Sequence, residues 1–260
     1  MKKRLFLTWQ AQNEESRKWY SVGELNFDGE LYRFFYIKGA EIAREKSNFQ
    51  PLVSFPDFRE IYESTELFPM FANRVMPASR PEYRQTIEWL CLAESQNDPL
   101  AFLARTGGAK VTDKFEIFCY PELDSNQNYN LHFFPHGLRY IPDDSIDRIS
   151  KMERGEKIYL ASAFQNPFDK NALQLQTRDN HIVGYSPSYL LDEMNKIVEN
   201  EAEIEVCVER VNDDSAPLQF RFLCRLIVPQ TANYHPFSSQ NYEPVVSIAK
   251  FAGDSKLVFA

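Results

Sequence analysis

The sequence predicts an α+β protein built in two parts. A mixed unit of strands and helices comes first, and a mostly-β, barrel-like domain with one closing helix follows. Three observations lead there. Capped helical stripes lie among alternating strands up to residue 123. From residue 130 to 228 the apolar residues recur mainly with period two, which is the strand signature. Between them Asp124–Asn130 is polar and carries three asparagines, a composition that suits a linker. The expected division is therefore 1–123, 130–228 and a tail, 229–260.

Residues 4–9 read as an edge strand. Lys18–Phe27 and Leu31–Ile37 read as two more, joined by an Asp28-Gly29 hairpin signal. Gly39 opens a short helical stretch through Ala43. Phe49–Pro56 is extended between two prolines, and Glu66–Met76 has apolar residues at helical spacing until Pro77. Ser79-Arg80-Pro81-Glu82 starts a helix with Pro just inside its cap, and Tyr83, Ile87, Leu90 and Cys91 form its apolar stripe. Asp98 caps the next helix and Gly107-Gly108 ends it. Lys114–Tyr120 reads as a strand.

In the second unit, Ile146–Met152 is short and amphipathic. Lys157–Ala163 is a strand, and Leu173–Thr177 with Ile182–Tyr185 makes a hairpin about Asp179-Asn180. Ser186 or Ser188 caps a helix whose buried stripe is Leu190, Leu191, Met194, Ile197 and Val198. Ile204–Val208 and Phe220–Leu226 alternate as strands. In the tail, Pro244–Phe251 and Leu257–Ala260 are apolar, which suggests an added strand on this chain or on a partner.

A chain of 260 residues is comfortable for two cores. Its net charge of −8 argues against broad, non-specific nucleic-acid binding, which needs many Lys and Arg on one face. Four cysteines without a CxxC pair point to buried thiols in a reducing, cytoplasmic setting. The apolar run after Met1-Lys2-Lys3-Arg4 is too short for a signal peptide, and no stretch approaches a transmembrane span.

The first unit, over about residues 20–122, resembles the N-terminal subdomain of HipA-type kinases. The resemblance is carried by Val22-Gly23-Glu24-Leu25, by Tyr36 with Pro51–Pro56, by Leu67-Phe68-Pro69-Met70-Phe71-Ala72-Asn73-Arg74-Val75-Met76-Pro77, and by Asp98–Ala104. After residue 125 there is no kinase-like catalytic Asp motif, metal-binding Asp loop or Gly-rich phosphate loop. The resemblance therefore implies that family's accessory piece without its active site. A HipA-type serine/threonine kinase encoded elsewhere would be the protein partner.

The stretch that organises the second unit is Gln165-Asn166-Pro167-Phe168-Asp169-Lys170-Asn171-Ala172, a dense polar turn between two apolar alternations. Together with Gly137-Leu138-Arg139-Tyr140 and Val183-Gly184-Tyr185, it makes residues 130–228 resemble a HIRAN domain. Such domains bind single-stranded DNA at its 3′ end. The resemblance implies Arg139 on a phosphate, Tyr140 against a base, Phe168 stacked on the last nucleotide and Asp169 accepting from the 3′-hydroxyl. Lys170 lies close enough to help with phosphate, and Tyr185 completes the candidate set. Without the resemblance, Arg139 and Tyr140 read as one surface and one half-buried residue of a strand, Asp169 ties its own turn, and Lys170 is solvated. Asn166 and Asn171 are read as turn structure.

Two features run against DNA binding. No Lys follows Val183-Gly184 in Tyr185-Ser186-Pro187-Ser188. Residues 130–228 also hold 11 basic and 16 acidic side chains, a net of −5. Arg148, Lys151, Arg154 and Lys157 form a local basic group that offsets this or simply faces water. His132 and His136 are four apart but broken by Pro135, so no metal site is expected, and no cofactor or catalytic motif is found. The expectation is a non-enzymatic protein whose HIRAN domain reads a DNA 3′ end while its first unit docks a partner. The alternative is an antitoxin-like subunit that restrains a HipA-type kinase.

Overall fold

The computed structural model describes residues 3–12, 18–93, 98–163, 166, 171–199, 204–230 and 234–246. The fold is mixed α/β with strand predominating, in two antiparallel sheets. The chain divides into two compact units that interleave in sequence. One comprises Met1–Arg74, Gly107–Cys119 and Phe237–Ala260, the other Val75–Thr106 and Tyr120–Pro236.

In the first unit, β1 (Lys3–Gln10), β2 (Trp19–Phe27), β3 (Tyr32–Tyr36), β4 (Ile61–Ser64) and β5 (Phe115–Cys119) form a sheet in the order β4-β3-β2-β1-β5. The first strand, expected at an edge, is interior, because β5 returns to pair with it. Its four central residues are all buried, since both its faces are covered. Asp28 builds the β2–β3 hairpin as expected. It accepts from the backbone N–H of Glu30 and Leu31, both at 2.9 Å, and from Arg33. Those bonds to its ionised form hold its carboxyl down to about 2.

Tyr36, buried among Phe34, Phe49 and Phe58, bridges the proline-punctuated segment. Its hydroxyl accepts from Leu52 N–H at 2.7 Å and donates to Phe55 O at 2.8 Å. Helix α1 (Lys38–Ser47) runs a turn further than its sequence suggested, while the stretch expected to be helical over 66–76 holds only the single turn α2 (Pro69–Ala72). The tail joins this unit: Phe237 and Tyr242 pack on Phe6, and Val245 N–H donates to Tyr36 O at 3.0 Å. Its pairing is one isolated bridge, Ile37 with Pro244, and residues 247–260 lie outside the description.

In the second unit, α3 (Tyr83–Trp89) and α4 (Pro99–Thr106) contribute Ile87 and Phe102, with Leu90 just past α3, to a core shared with Phe134 and Leu223. Asp98 caps α4 as expected, accepting from Leu100 and Ala101 N–H at 2.9 Å. The sequence placed these helices with the first unit and drew one boundary at 124–130. Instead the polar stretch is a hairpin turn between β6 (Glu122–Leu123) and β7 (Asn128–Phe133). Asp124 gathers Asn126 N–H, Asn128 N–H and Asn130 Nδ2 to close it.

The remaining elements are α5 (Asp143–Ile149), β8 (Lys157–Ser162), β9 (Leu173–Gln176), β10 (Ile182–Tyr185), α6 (Leu191–Glu199), β11 (Glu205–Val211) and β12 (Phe222–Pro229). Neither Ser186 nor Ser188 is seen to cap the turn before α6; Ser186 is buried against Met194, its Oγ 3.3 Å from the sulfur. The strands run in the order β10-β9-β8-β11-β12-β7-β6. This is an open sheet rather than the expected barrel. A single bridge, His136 with Tyr185, links the loop after β7 to β10. Its inner face buries Ile158, Leu175, Val183, Val206, Cys224, Leu226, Leu131 and Phe133. Among the described residues no helix is long and apolar enough to cross a membrane.

Candidate nucleic-acid site

Pro135 and Gly137 end the run that starts with β7. Gly137 sits at φ 75°, a left-handed conformation that costs other L-residues about 1–2 kcal/mol. That reversal starts a 3-10 turn, Leu138–Tyr140, closed by Tyr140 N–H to Gly137 O at 2.9 Å. Leu138 is buried and anchors the turn. Arg139 and Tyr140 are thereby lifted outward, with Tyr140 68% exposed. The guanidinium carbon lies 5.9 Å from the Tyr140 ring centroid. These two residues are on a turn, not on the strand that spacing alone allowed.

Tyr185 meets this turn from the end of β10. It exchanges two backbone bonds of 2.9 Å with His136. A Cβ on Gly137 would stand 2.8 Å from Tyr185 Cδ2, so the ring lies directly on the glycine. Gly184, at φ 130°, makes the approach possible, since a Cβ there would meet Pro135 Cβ at 2.9 Å and His136 O at 3.2 Å. The motifs Gly137-Leu138-Arg139-Tyr140 and Val183-Gly184-Tyr185, far apart in sequence, thus form one surface.

The base of the third motif arrives at the same end of the sheet. Ala163 N–H donates to Ala172 O at 2.9 Å, Asn166 N–H to Ala163 O at 2.8 Å, and Ser186 N–H to Leu173 O at 2.8 Å. The last of these ties Leu173, just past the polar stretch in sequence, to the residue after Tyr185. Phe168, Asp169 and Lys170 lie outside the described residues.

The two arginines of the local basic group are committed to ion pairs. Arg148 bonds Glu156 at 2.5 Å and Asp179 at 2.9 Å, which raises its pKa. Arg154 bonds Glu209 at 2.5 Å. Lys157 lies instead over the Tyr159 ring, 5.7 Å from its centroid. Tyr159 and Tyr140 are the exposed large aromatics among the described residues. The sequence reading passed over Tyr159, although the alternation Lys157-Ile158-Tyr159 puts it opposite the core-facing Ile158.

His132 and His136 do not converge on a cation. His132 lies on β7 beside Arg225 of β12, and burial first, then the charges of Arg105, Arg225 and Arg154, push its pKa down to about 3. Among the described residues no three of His, Cys, Asp and Glu gather as metal ligands. None of the four cysteines is in a disulfide, and Cys207 and Cys224 are buried.

Residues 128–226 match the family model of the HIRAN domain, and this segment of the chain is a HIRAN domain. The match does not extend over residues 20–122, where the HipA-type resemblance rests on its motifs alone. Two solved structures are similar to part of the chain. One is a protein from Lactobacillus plantarum, at 15% identity over 39% of this chain and 96% of that one, with a TM-score of 0.31. The other is the HIRAN domain of human HLTF, at 22% identity over 38% of this chain and 74% of that one, with a TM-score of 0.28. No curated protein matches the chain.

Proposed function

We propose that this protein binds the 3′ end of single-stranded DNA, without catalysing a reaction, through the end of the sheet where Gly137–Tyr140 and Val183–Tyr185 meet. The observation that carries the reading is this convergence in a HIRAN domain: Gly137 and Gly184 bring Tyr185 onto the turn that presents Arg139 and Tyr140, and Ser186 N–H bonds Leu173 O, three residues past Lys170 in sequence. Each residue type suits its part. A guanidinium recognises phosphate in a forked, charge-assisted bond, and an exposed ring offers a face to a base, worth about 1–3 kcal/mol. A carboxylate at Asp169 accepts from a 3′-hydroxyl and repels a 3′-phosphate. The first unit would dock a protein partner, and its motif resemblance makes a HipA-type kinase the one to try.

Fluorescence anisotropy with a labelled oligonucleotide at low salt tests the DNA reading. The expected result is binding of a 3′-hydroxyl end and weaker binding of the same strand with a 3′-phosphate. Asp169→Ala should narrow that difference. Equal affinity of the wild type for both ends removes the role given to Asp169, and no binding of either removes the function.

A further inference from the structure

The sheet face outside the core carries a second arrangement like that of Arg139 and Tyr140. On β8, Ile158 is buried while Lys157 and Tyr159 are exposed, with the ammonium over the ring. Strand register fixes their neighbours. Tyr159 pairs with Gln176, Ala161 with Gln174, and Gln174 with Tyr185. Residues paired across antiparallel strands point to the same side, so Tyr185, Gln174, Ala161 and Tyr159 share one face. At about 4.8 Å between strands and 3.3 Å per residue along them, Tyr159 stands roughly 12 Å from Tyr185.

On that same face, Lys157 pairs with Cys207, Cys207 with Arg225 and Arg225 with His132. Glu205 and Glu209 also belong to β11. Glu209 is held by Arg154 at 2.5 Å and by Arg225 at 3.3 Å, two cations on one carboxylate. Arg225 also faces Glu205, so the two arginines are balanced by two carboxylates, and the positive charge left over on this face is that of Lys157. A single strand whose 3′ end sits by Tyr185 would cross polar Gln174 and meet a ring with a cation on it, short of the buried Cys207.

We infer that the exposed face of β8 is a second station for the DNA strand, Tyr159 stacking on a base several nucleotides from the 3′ end and Lys157 holding a neighbouring phosphate. The inference rests on the 3′-end reading above. At a stacked spacing of about 3.4 Å per nucleotide the station lies three to four nucleotides from Tyr185. A trinucleotide would fill the terminal site alone, and a decanucleotide would reach both.

Anisotropy titrations with those two 3′-hydroxyl strands separate the sites. Wild type should bind the decanucleotide more tightly. Tyr159→Ala should weaken decanucleotide binding about thirtyfold, the middle of the range for one stacked base, and leave the trinucleotide unchanged. Tyr159→Phe should bind like wild type, because the ring face is what acts. Lys157→Gln should lower the slope of log affinity against log salt by about 0.7 for the decanucleotide only. A Tyr159→Ala protein that binds the decanucleotide like wild type overturns the second station while leaving the terminal site standing. Wild type that binds neither strand overturns both.

Discussion

Gly137 is the position where a small change should separate folding from binding. Replacing it with Ala has two consequences. The backbone there is left-handed at φ 75°, a conformation that costs an L-residue about 1–2 kcal/mol, offset by about 0.4–1 kcal/mol from the stiffer unfolded chain. The new methyl would also stand 2.8 Å from Tyr185 Cδ2, closer than carbon atoms approach, so the ring must swing away. Gly155 is a built-in control in the same unit. It sits at φ 85° with nothing within 4 Å of its missing Cβ. Gly155→Ala therefore carries only the backbone cost, a net of about 0.5–1 kcal/mol. Urea unfolding followed by circular dichroism should find Gly137→Ala less stable than Gly155→Ala by about another 1 kcal/mol, the usual scale of an overpacked contact. Anisotropy with a 3′-hydroxyl strand should find weakened binding for Gly137→Ala alone. If both variants bind like wild type, the Tyr185 ring is not part of the site.

Three further outcomes test the frame. Asp98→Ala removes the acceptor for Leu100 and Ala101 N–H and should cost about 1 kcal/mol in urea unfolding. Tyr36→Phe leaves Leu52 N–H and Phe55 O without their buried partner and should cost about 1–3 kcal/mol by the same measurement. His132 gives a pH dependence. Its folded pKa of about 3 lies below its ordinary 6.5, so the unfolded chain takes up the proton first and stability falls as pH drops through that window. His132→Gln should flatten the fall between pH 7 and about pH 4.5 relative to wild type; parallel curves would show that the imidazole is not held neutral.

What the sequence showed was local. The Asp28-Gly29 hairpin, the Asp98 cap, the Asp179-Asn180 hairpin and most of the α6 stripe each depend on residues within a few positions of one another. What it hid depends on chain segments distant in sequence. The first strand is interior because residues 115–119 come back to it. Residues 75–106 join the second unit because Leu90 and Phe102 find Phe134 and Leu223. Asp124–Asn130 was ambiguous by nature: Asp and Asn serve a linker and a hairpin turn equally well. For Arg139 and Tyr140 the signal was present in Gly137, since a glycine after Pro-His marks a reversal more readily than a continuing strand. Tyr159 was legible from alternation, but its relation to Tyr185 runs through β9 and needs the register.

The acidic balance of this unit then bears on how it would hold DNA. With 11 basic against 16 acidic residues over 130–228, counterion release cannot dominate. Arg148 and Arg154 are drawn into carboxylates. Arg139 and Lys157 are placed differently, each against an exposed tyrosine. A cation over a ring that also stacks a base meets the phosphate beside that base, so charge and stacking act on the same nucleotide. With Arg139, Lys157 and Lys170 as the phosphate contacts, single-strand binding should show a slope of about −2 in log affinity against log salt. A fourfold rise in salt should then weaken binding about sixteenfold, the remaining affinity being carried by stacking and by the 3′-hydroxyl. A slope several times steeper would mean a broad basic surface holds the strand, and the ring-led site would not be what binds it.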